Sequence, residues 1–171
     1  MTGGVRSGKS RWAQAEALSL GGSDVTVVAT AEAIDEEMER RISVHRRERP
    51  EGWLTIEAPL RAGDAIRSAQ SETILLDCLT VLAGNAMGSI RAESEEAALS
   101  VVAEEVDGLL EAIESREGRL LVVTNEVGWS VHPPTALGRW YQDALGAANQ
   151  RLASVADRVV LMVAGCPVGI R

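Results

Sequence analysis

Lysine is almost missing from this chain of 171 residues: Lys9 is the only one among 17 basic residues, and the rest are arginine. Phenylalanine is absent altogether. A GC-rich coding bias explains both, so the arginine excess is not by itself a functional signal. Cysteine and histidine are scarce, with two of each, too few for a Cys/His metal cluster. Cys78 and Cys166 are far apart and follow strand-like runs. That predicts buried free thiols rather than a disulfide, and a reducing, cytoplasmic compartment. No uninterrupted apolar stretch reaches about 18 residues, so no transmembrane helix is expected. No basic segment followed by an apolar one opens the chain, so no signal peptide is expected. Positive charge is also short. Against 25 acidic residues the net charge is −8, which argues against a nucleic-acid or anionic-membrane binder. A small anionic ligand at a locally basic site stays compatible with that charge.

What remains is an ordinary globular composition, 46% apolar and 25% charged, with a length that suits one domain over residues 1–171. Strand-like runs at Val25–Thr30, Thr73–Asp77, Leu120–Thr124 and Arg158–Ala164 alternate with helical patterns. The helices are expected over about Ala31–Glu48, through stretches ending near Ser115, and over about Thr135–Ala156. Trp53–Ile56 reads as a short extra strand. The runs are nearly all apolar, as in strands covered on both faces, and their alternation with helices implies parallel crossovers in an α/β sandwich. The acidic stretch Glu93–Glu114 reads as a solvated helix face.

The lone lysine lies in a phosphate-loop pattern. Gly3-Gly4-Val5-Arg6-Ser7-Gly8-Lys9-Ser10 fits G-x-x-x-x-G-K-[ST]. Glycines let the backbone curl so that successive N–H groups face phosphate oxygens, and the helix starting near Gly8 adds its positive end. Lys9 is placed for the β- and γ-phosphates and Ser10 for Mg²⁺. The bland reading is a glycine-rich turn. Asp77 closes the run Thr73–Leu76, where a carboxylate beside a phosphate loop holds Mg²⁺; its bland alternative is a helix N-cap. Such a loop normally follows a buried strand, and only Met1 and Thr2 precede Gly3. The expectation is therefore a sheet lacking its first strand, in a chain that naturally begins upstream. Otherwise a neighbouring chain or the C-terminal tail must cover the gap.

Arg40, Arg41, Arg46, Arg47 and Arg49 surround His45. Ile34, Met38 and Ile42 recur at four-residue spacing and predict a buried stripe, which His45 borders with Arg41 beside it. Nearby guanidinium groups favour a neutral imidazole, which is a nucleophile toward phosphorus, and they can neutralise a triphosphate. From these residues alone, an exposed histidine on a basic helix end, its arginines paired with Glu36, Glu37 and Glu39, is the stronger reading. His132, before Pro133-Pro134, reads as a loop residue.

Six segments then occur in order: T-G-G-x-R-S-G-K-S-R (Thr2–Arg11), A-T-A (Ala29–Ala31), D-E-E-M…R-I-x-x-H-R-x-x-R-P (Asp35–Pro50), L-L-D-C-L-T (Leu75–Thr80), V-T-N-E-V-G (Val123–Gly128) and G-x-x-N-Q-x-x-A (Gly146–Ala153). Together they closely resemble the bifunctional adenosylcobinamide kinase / adenosylcobinamide-phosphate guanylyltransferase family of cobalamin biosynthesis, over essentially the whole chain. The resemblance implies a P-loop fold like the RecA core, a three-layer sandwich with a mostly parallel sheet, in a homo-oligomer, a trimer being known. It implies phosphorylation of adenosylcobinamide by ATP or GTP. Transfer of GMP from GTP to adenosylcobinamide phosphate through a guanylyl-histidine would follow, with Mg²⁺ as the ion. The family nucleophile falls on His45, which reverses the bland reading. The nucleotide contacts fall on Gly3, Gly4, Val5, Arg6, Ser7, Gly8, Lys9 and Ser10, on Ala29, Thr30 and Ala31, on Arg46, Arg47, Glu48 and Arg49, and on Glu57 and Asp77. Two departures stand out. The first strand is missing, and Val44 occupies a position where some members carry a second histidine. A simple P-loop kinase and a nucleotide-binding degenerate paralogue are the alternatives. Asn125 and Glu126 follow a strand end, where open α/β sheets bind ligands. Arg139 and Asp143 are spaced as an intrahelical pair, and no role is assigned to Asn149 and Gln150.

Overall fold

Val25–Ala29 and Thr73–Leu76 are mostly apolar on both faces, and they lie in the central strands of a parallel sheet in the computed structural model, which describes residues 1–129 and 131–171. In chain order the elements are β1 (Thr2–Gly3), α1 (Lys9–Gly21), β2 (Val25–Ala29), α2 (Glu36–Arg47), β3 (Leu54–Glu57), α3 (Ala62–Ser68), β4 (Thr73–Asp77), α4 (Leu79–Ser89), α5 (Glu95–Ser115), β5 (Arg119–Val123), α6 (Ala136–Val155), β6 (Val160–Val163) and β7 (Cys166–Gly169). Four strands form an all-parallel sheet in the order β3-β2-β4-β5.

Alternating side chains of each strand serve two cores. Val28, Ile74 and Leu76 pack with α3–α6, among them Ile66, Leu82, Val106 and Leu145. Val27, Leu75 and Val123 pack with Ala13 of α1 on the opposite face. Both faces are apolar because both are covered. Each fully buried Val, Leu or Ile contributes roughly 1.5–3 kcal/mol. The acidic helix α5 buries Ala98, Val102, Val106, Leu109 and Ala112, so its charges do occupy the solvated face. α3 crosses α5 where Gly63 meets Gly108; a Cβ on Gly63 would lie 2.2 Å from the Gly108 carbonyl oxygen.

Several expectations need correction. α2 begins only at Glu36, because Asp35 caps it by accepting from the Met38 N–H at 2.7 Å. Ile34 therefore lies outside the helix and is 77% exposed, and no α2 residue is buried. Met38, Ile42 and His45 form the spaced stripe, but only half-buried. Both cysteines are free, but Cys78 is half-buried and Cys166 is exposed rather than buried. Cys166 is exposed because β6 stops at Val163 and the chain turns into the antiparallel strand β7, every residue of which is exposed. Arg139 donates to the Pro133 carbonyl (3.2 Å) at the start of α6.

The strand before the phosphate loop is reduced to two residues. β1 pairs in parallel with β6, in a second sheet ordered β1-β6-β7. It also touches the end of β5. The Met1 ammonium donates to the Val122 carbonyl (2.6 Å), and the Thr124 N–H donates to the Met1 carbonyl (2.9 Å). The C-terminal tail does not cover the gap, since β7 lies on the other edge of β6. A groove of about 640 Å³ remains between β5 and β6, lined by Ala13 of α1, Leu120 and Val122 of β5, Leu152 of α6, and Val159 and Val160.

Two outcomes follow. Gly63→Ala forces α3 from α5 and lowers stability by about 1–3 kcal/mol, read from the urea midpoint. Burial lowers the pKa of the Met1 ammonium to about 6. The unfolded chain then binds more protons between pH 6 and 8, so this group's stabilising contribution is present above about pH 8 and is lost as pH falls through about 6. Unfolding free energy rises by up to about 3 kcal/mol across that window, and Nα-acetylation abolishes that rise.

Candidate active site

Parallel pairing brings one end of every central strand to the same edge. The register sets Glu57, Ala29, Asp77 and Val123 in a row across β3, β2, β4 and β5. The phosphate-loop segment emerges at this edge from β1. Only glycine fits at position 3, where φ is +147° and a Cβ would lie 2.5 Å from the Met162 carbonyl oxygen. Gly8 caps α1 in the left-handed region with φ 98°. Gly4, Val5 and Arg6 are exposed at the tip, while Ser7 is buried and Ser10 half-buried.

Lys9 is 8% exposed. Its ammonium folds back across the loop and donates to the carbonyls of Gly3 (3.0 Å) and Gly4 (2.6 Å). Burial lowers its pKa, while Cys78 and Asp77 act in the opposite sense. The two carbonyls occupy a cation that an anionic ligand would recruit.

α2 delivers the second set of groups. Its acidic first turn and basic last turn complement the helix dipole. His45, on its half-buried face, points Nδ1 at Asp77 Oδ2, 3.8 Å away. Arg46 pairs with Glu57, and Arg49 Nη1 donates to Thr55 Oγ1 (2.9 Å). Arg41 pairs with Glu37 one turn back rather than with His45. Arg47 and Glu48 are exposed at the helix end. Burial lowers the Arg49 pKa, with Asp77 the strongest opposing influence. Asp77 thus receives positive potential from His45, Arg49 and Lys9, yet burial outweighs all three and raises its carboxyl above the usual range.

Thr30 ties the Ala29–Ala31 turn to β4. Its N–H donates to the Asp77 carbonyl (3.1 Å), and its hydroxyl accepts from the Cys78 N–H (2.9 Å) and donates to the Cys78 carbonyl (2.8 Å). Asn85 of α4 was not singled out by the sequence. Its amide donates to the carbonyls of Thr30 (2.8 Å) and Pro59 (2.9 Å), binding the turns after β2 and β3 together. One asparagine in a helix carries no sequence signal for that role.

The segment after β5 is locked to the phosphate loop. Glu126 N–H donates to the Gly3 carbonyl (3.2 Å), and the Thr2 hydroxyl donates to Glu126 Oε1 (2.7 Å). Asn149 accepts from Thr124 Oγ1 (2.7 Å) and donates to the Asn125 carbonyl (3.0 Å). The bonds seen for Asn125 and Glu126 are therefore structural, and His132 is an exposed loop residue.

Ser7 Oγ and His45 Nδ1 are both buried without a hydrogen-bond partner. Buried polar atoms are normally satisfied; Thr73 Oγ1 and Thr80 Oγ1 share this state, and the open Ser7 and His45 atoms leave hydrogen-bonding capacity for a polar ligand. Ser10 and Asp77 are hard oxygen donors and suit Mg²⁺, which takes one or two protein oxygens and completes its shell with phosphates and water. Among the described residues there is no cluster of three or more His, Cys, Asp or Glu.

The raised carboxyl of Asp77 contributes stability at low pH that is lost as pH rises through its folded pKa. Asp77→Asn is therefore expected to raise Tm at pH 7.5, with the gain vanishing toward pH 3. A variant that melts lower at pH 7.5 contradicts this.

Comparison with known proteins covers this whole region. The family model described as cobinamide kinase / cobinamide phosphate guanyltransferase matches residues 1–170. Proteins named bifunctional adenosylcobalamin biosynthesis protein CobU are 35% identical in Escherichia coli (strain K12) and 36% in Salmonella typhimurium, each over 179 residues, covering 100% of this chain and 98% of the relative. One named CobP in Pseudomonas aeruginosa is 37% identical over 174 residues, covering 99% of this chain and 94% of the relative.

Proposed function

The chain belongs to the cobinamide kinase / cobinamide phosphate guanyltransferase family, and on that premise we propose that it performs both reactions, phosphorylating adenosylcobinamide and then joining GMP to the product. The observation that carries the reading is the convergence of Lys9, His45 and Arg49 on Asp77, at the sheet edge that carries the phosphate loop. Residues 1–171 form one nucleotide-binding unit of the P-loop, RecA-like type, and the order β3-β2-β4-β5 with β1 beside both β5 and β6 supports it.

In the kinase step the aminopropanol oxygen attacks the γ-phosphorus of a nucleoside triphosphate, the bond to the β-phosphate oxygen breaks, and the hydroxyl proton leaves to solvent. Gly3 to Ser10 cradle the phosphates through backbone N–H groups. Lys9 exchanges the Gly3 and Gly4 carbonyls for phosphate oxygens. Mg²⁺ held by Ser10 and Asp77 would supply charge neutralisation of the triphosphate.

In the guanylyl step His45 attacks the α-phosphorus of GTP. A P–N bond forms and pyrophosphate leaves. Asp77 faces Nδ1, so Nε2 is the attacking nitrogen. Arg46, Arg47 and Arg49 offset the charge on the phosphates, with Glu57 setting the position of Arg46 and Glu48 adjoining the nucleotide at the helix end. A phosphate oxygen of adenosylcobinamide phosphate then attacks the same phosphorus, the P–N bond breaks, and imidazole is regenerated. The covalent intermediate divides one transfer between two polyanions into two displacements. Ala29, Thr30 and Ala31 form the floor beside the nucleotide.

A homo-oligomer, a trimer by family resemblance, fits an α2 with no buried residue and a β6–β7 hairpin exposing Val163, Val168 and Ile170. Among the described residues no helix is long and apolar enough to cross a membrane.

Mass spectrometry after incubation with GTP and Mg²⁺ tests the mechanism. The expected result is a GMP adduct on His45 that is acid-labile and base-stable. His45→Ala should show none while still phosphorylating adenosylcobinamide. An unlabelled wild-type chain, or equal label on the variant, excludes the covalent route and leaves a simple kinase.

A further inference from the structure

β6 and the turn after it lie against the phosphate loop. Gly3 pairs with Met162 in the register of β1 and β6. A Cβ on Gly8 would lie 3.4 Å from Gly165 Cα and 3.7 Å from Met162 Cε, so both ends of the loop rest on β6 and its turn. Val163 pairs with Cys166, which leaves a two-residue turn, Ala164-Gly165. Both residues are left-handed, with φ 50° and 84°, as a tight hairpin requires. Glycine meets that demand freely, whereas alanine is strained there. Neither turn residue belongs to the strand ladder, and the Gly165 N–H donates outward, to the Ser7 carbonyl (3.0 Å).

That bond bears on the donors of the loop. The N–H groups of Lys9, Ser10 and Arg11 open α1, where a helix has no acceptors of its own. The Trp12 N–H makes the helical bond to the Gly8 carbonyl (3.0 Å). The carbonyl that stands four residues before Arg11 is that of Ser7, and Gly165 holds it. Released, it can turn to the Arg11 N–H, lengthening the helix by one residue and withdrawing a donor from an incoming phosphate. Ser7 Oγ is buried without a partner, so the turn grips a residue whose hydroxyl stays open to a ligand.

We propose that Gly165 is a positioning residue for the phosphate loop: its N–H holds the Ser7 carbonyl away from α1 and so keeps the loop's donors turned to phosphate. This rests on the nucleotide-binding reading of that loop. Two requirements follow. Position 165 must take a left-handed backbone while presenting its N–H, which glycine and asparagine do and a β-branched residue does not. No atom lies within 4 Å of a Cβ built on Gly165, so a substitution acts through the backbone alone. By reciprocity, a nucleotide bound in the loop must strengthen the Gly165–Ser7 bond. A hairpin that is merely structural meets the first requirement and not the second.

The test measures affinity for Mg²⁺·GTP by calorimetry in the wild-type chain, Gly165→Asn, Gly165→Val and Gly63→Ala, the last lowering stability far from the loop. The expected Kd is within about twofold of wild type for Gly165→Asn and Gly63→Ala, and about tenfold higher for Gly165→Val. In the kinase step the nucleotide KM of Gly165→Val rises by the same factor, with kcat within about twofold. In the wild-type chain, saturating Mg²⁺·GTP slows exchange of the Gly165 amide about tenfold, a readout that needs no variant to fold. An unchanged Kd in Gly165→Val, an equal loss in Gly63→Ala, or Gly165 exchange indifferent to GTP overturns the proposal. A wild-type chain that binds no GTP overturns it together with the reading on which it rests. GTP binding without an adduct on His45 removes guanylyl transfer alone.

Discussion

A single carboxylate under opposed pressures organises the candidate site. Asp77 ends a strand whose residues Ile74 and Leu76 are fully buried, so its environment favours the neutral acid. Lys9, His45 and Arg49 favour the charged form. They arrive from three places: the phosphate loop, α2 and the segment after α2. Each is placed by features that serve Asp77 indirectly, namely the tight Gly3 and Gly8 backbone conformations and the Arg49–Thr55 and Arg46–Glu57 side-chain contacts. Nucleotide phosphates would satisfy the same cations that Asp77 now draws, which is why a site of this kind can sit in a protein of net charge −8. Useful positive charge is local, and the global field is incidental to it.

The helix that carries His45 is formed by local signals and held by few tertiary ones. The Asp35 cap and the charge gradient along α2 stabilise a helix in place, but no residue of it is buried. Its position rests on contacts made by its C-terminal end. Segments with little buried surface belong to the low-stability part of a fold. In the proposed guanylyl transfer His45 would first approach a phosphorus and later release it, and such an element suits that motion. Thr30, Asn85, Thr124 and Asn149 act in the opposite way, immobilising the turns at the strand ends.

The sheet has a seam. Among the described residues, hydrogen bonds of Met1, Thr2 and Gly3 to Val122, Thr124 and Glu126 link its two halves, beside a groove lined from both cores. The candidate site draws on both sides of that seam, since the phosphate loop belongs to β1 while Asp77 belongs to β4.

Much of this was legible in residue order. Phosphate-loop spacing, a carboxylate closing a buried run and apolar strands alternating with helices are local patterns, and each has a local physical cause. β4 appears with the boundaries its composition implied, because Thr73–Leu76 leaves no polar face to expose. Other features were not local. Ile34 shares the spacing of Met38 and Ile42, yet Asp35 captures the Met38 N–H and leaves Ile34 outside the helix. Cys166 follows an apolar run but lands on an exposed hairpin, because the turn after Val163 redirects the chain. Asn85 and Asn149 look like unremarkable helix residues. By itself the sequence determined which side chains are candidates for binding phosphate and roughly which element carries each. Only tertiary structure decided that Lys9, His45 and Arg49 meet at Asp77. That meeting depends on strand register and on loops closing over the sheet edge, and those arise from packing between segments distant in the chain.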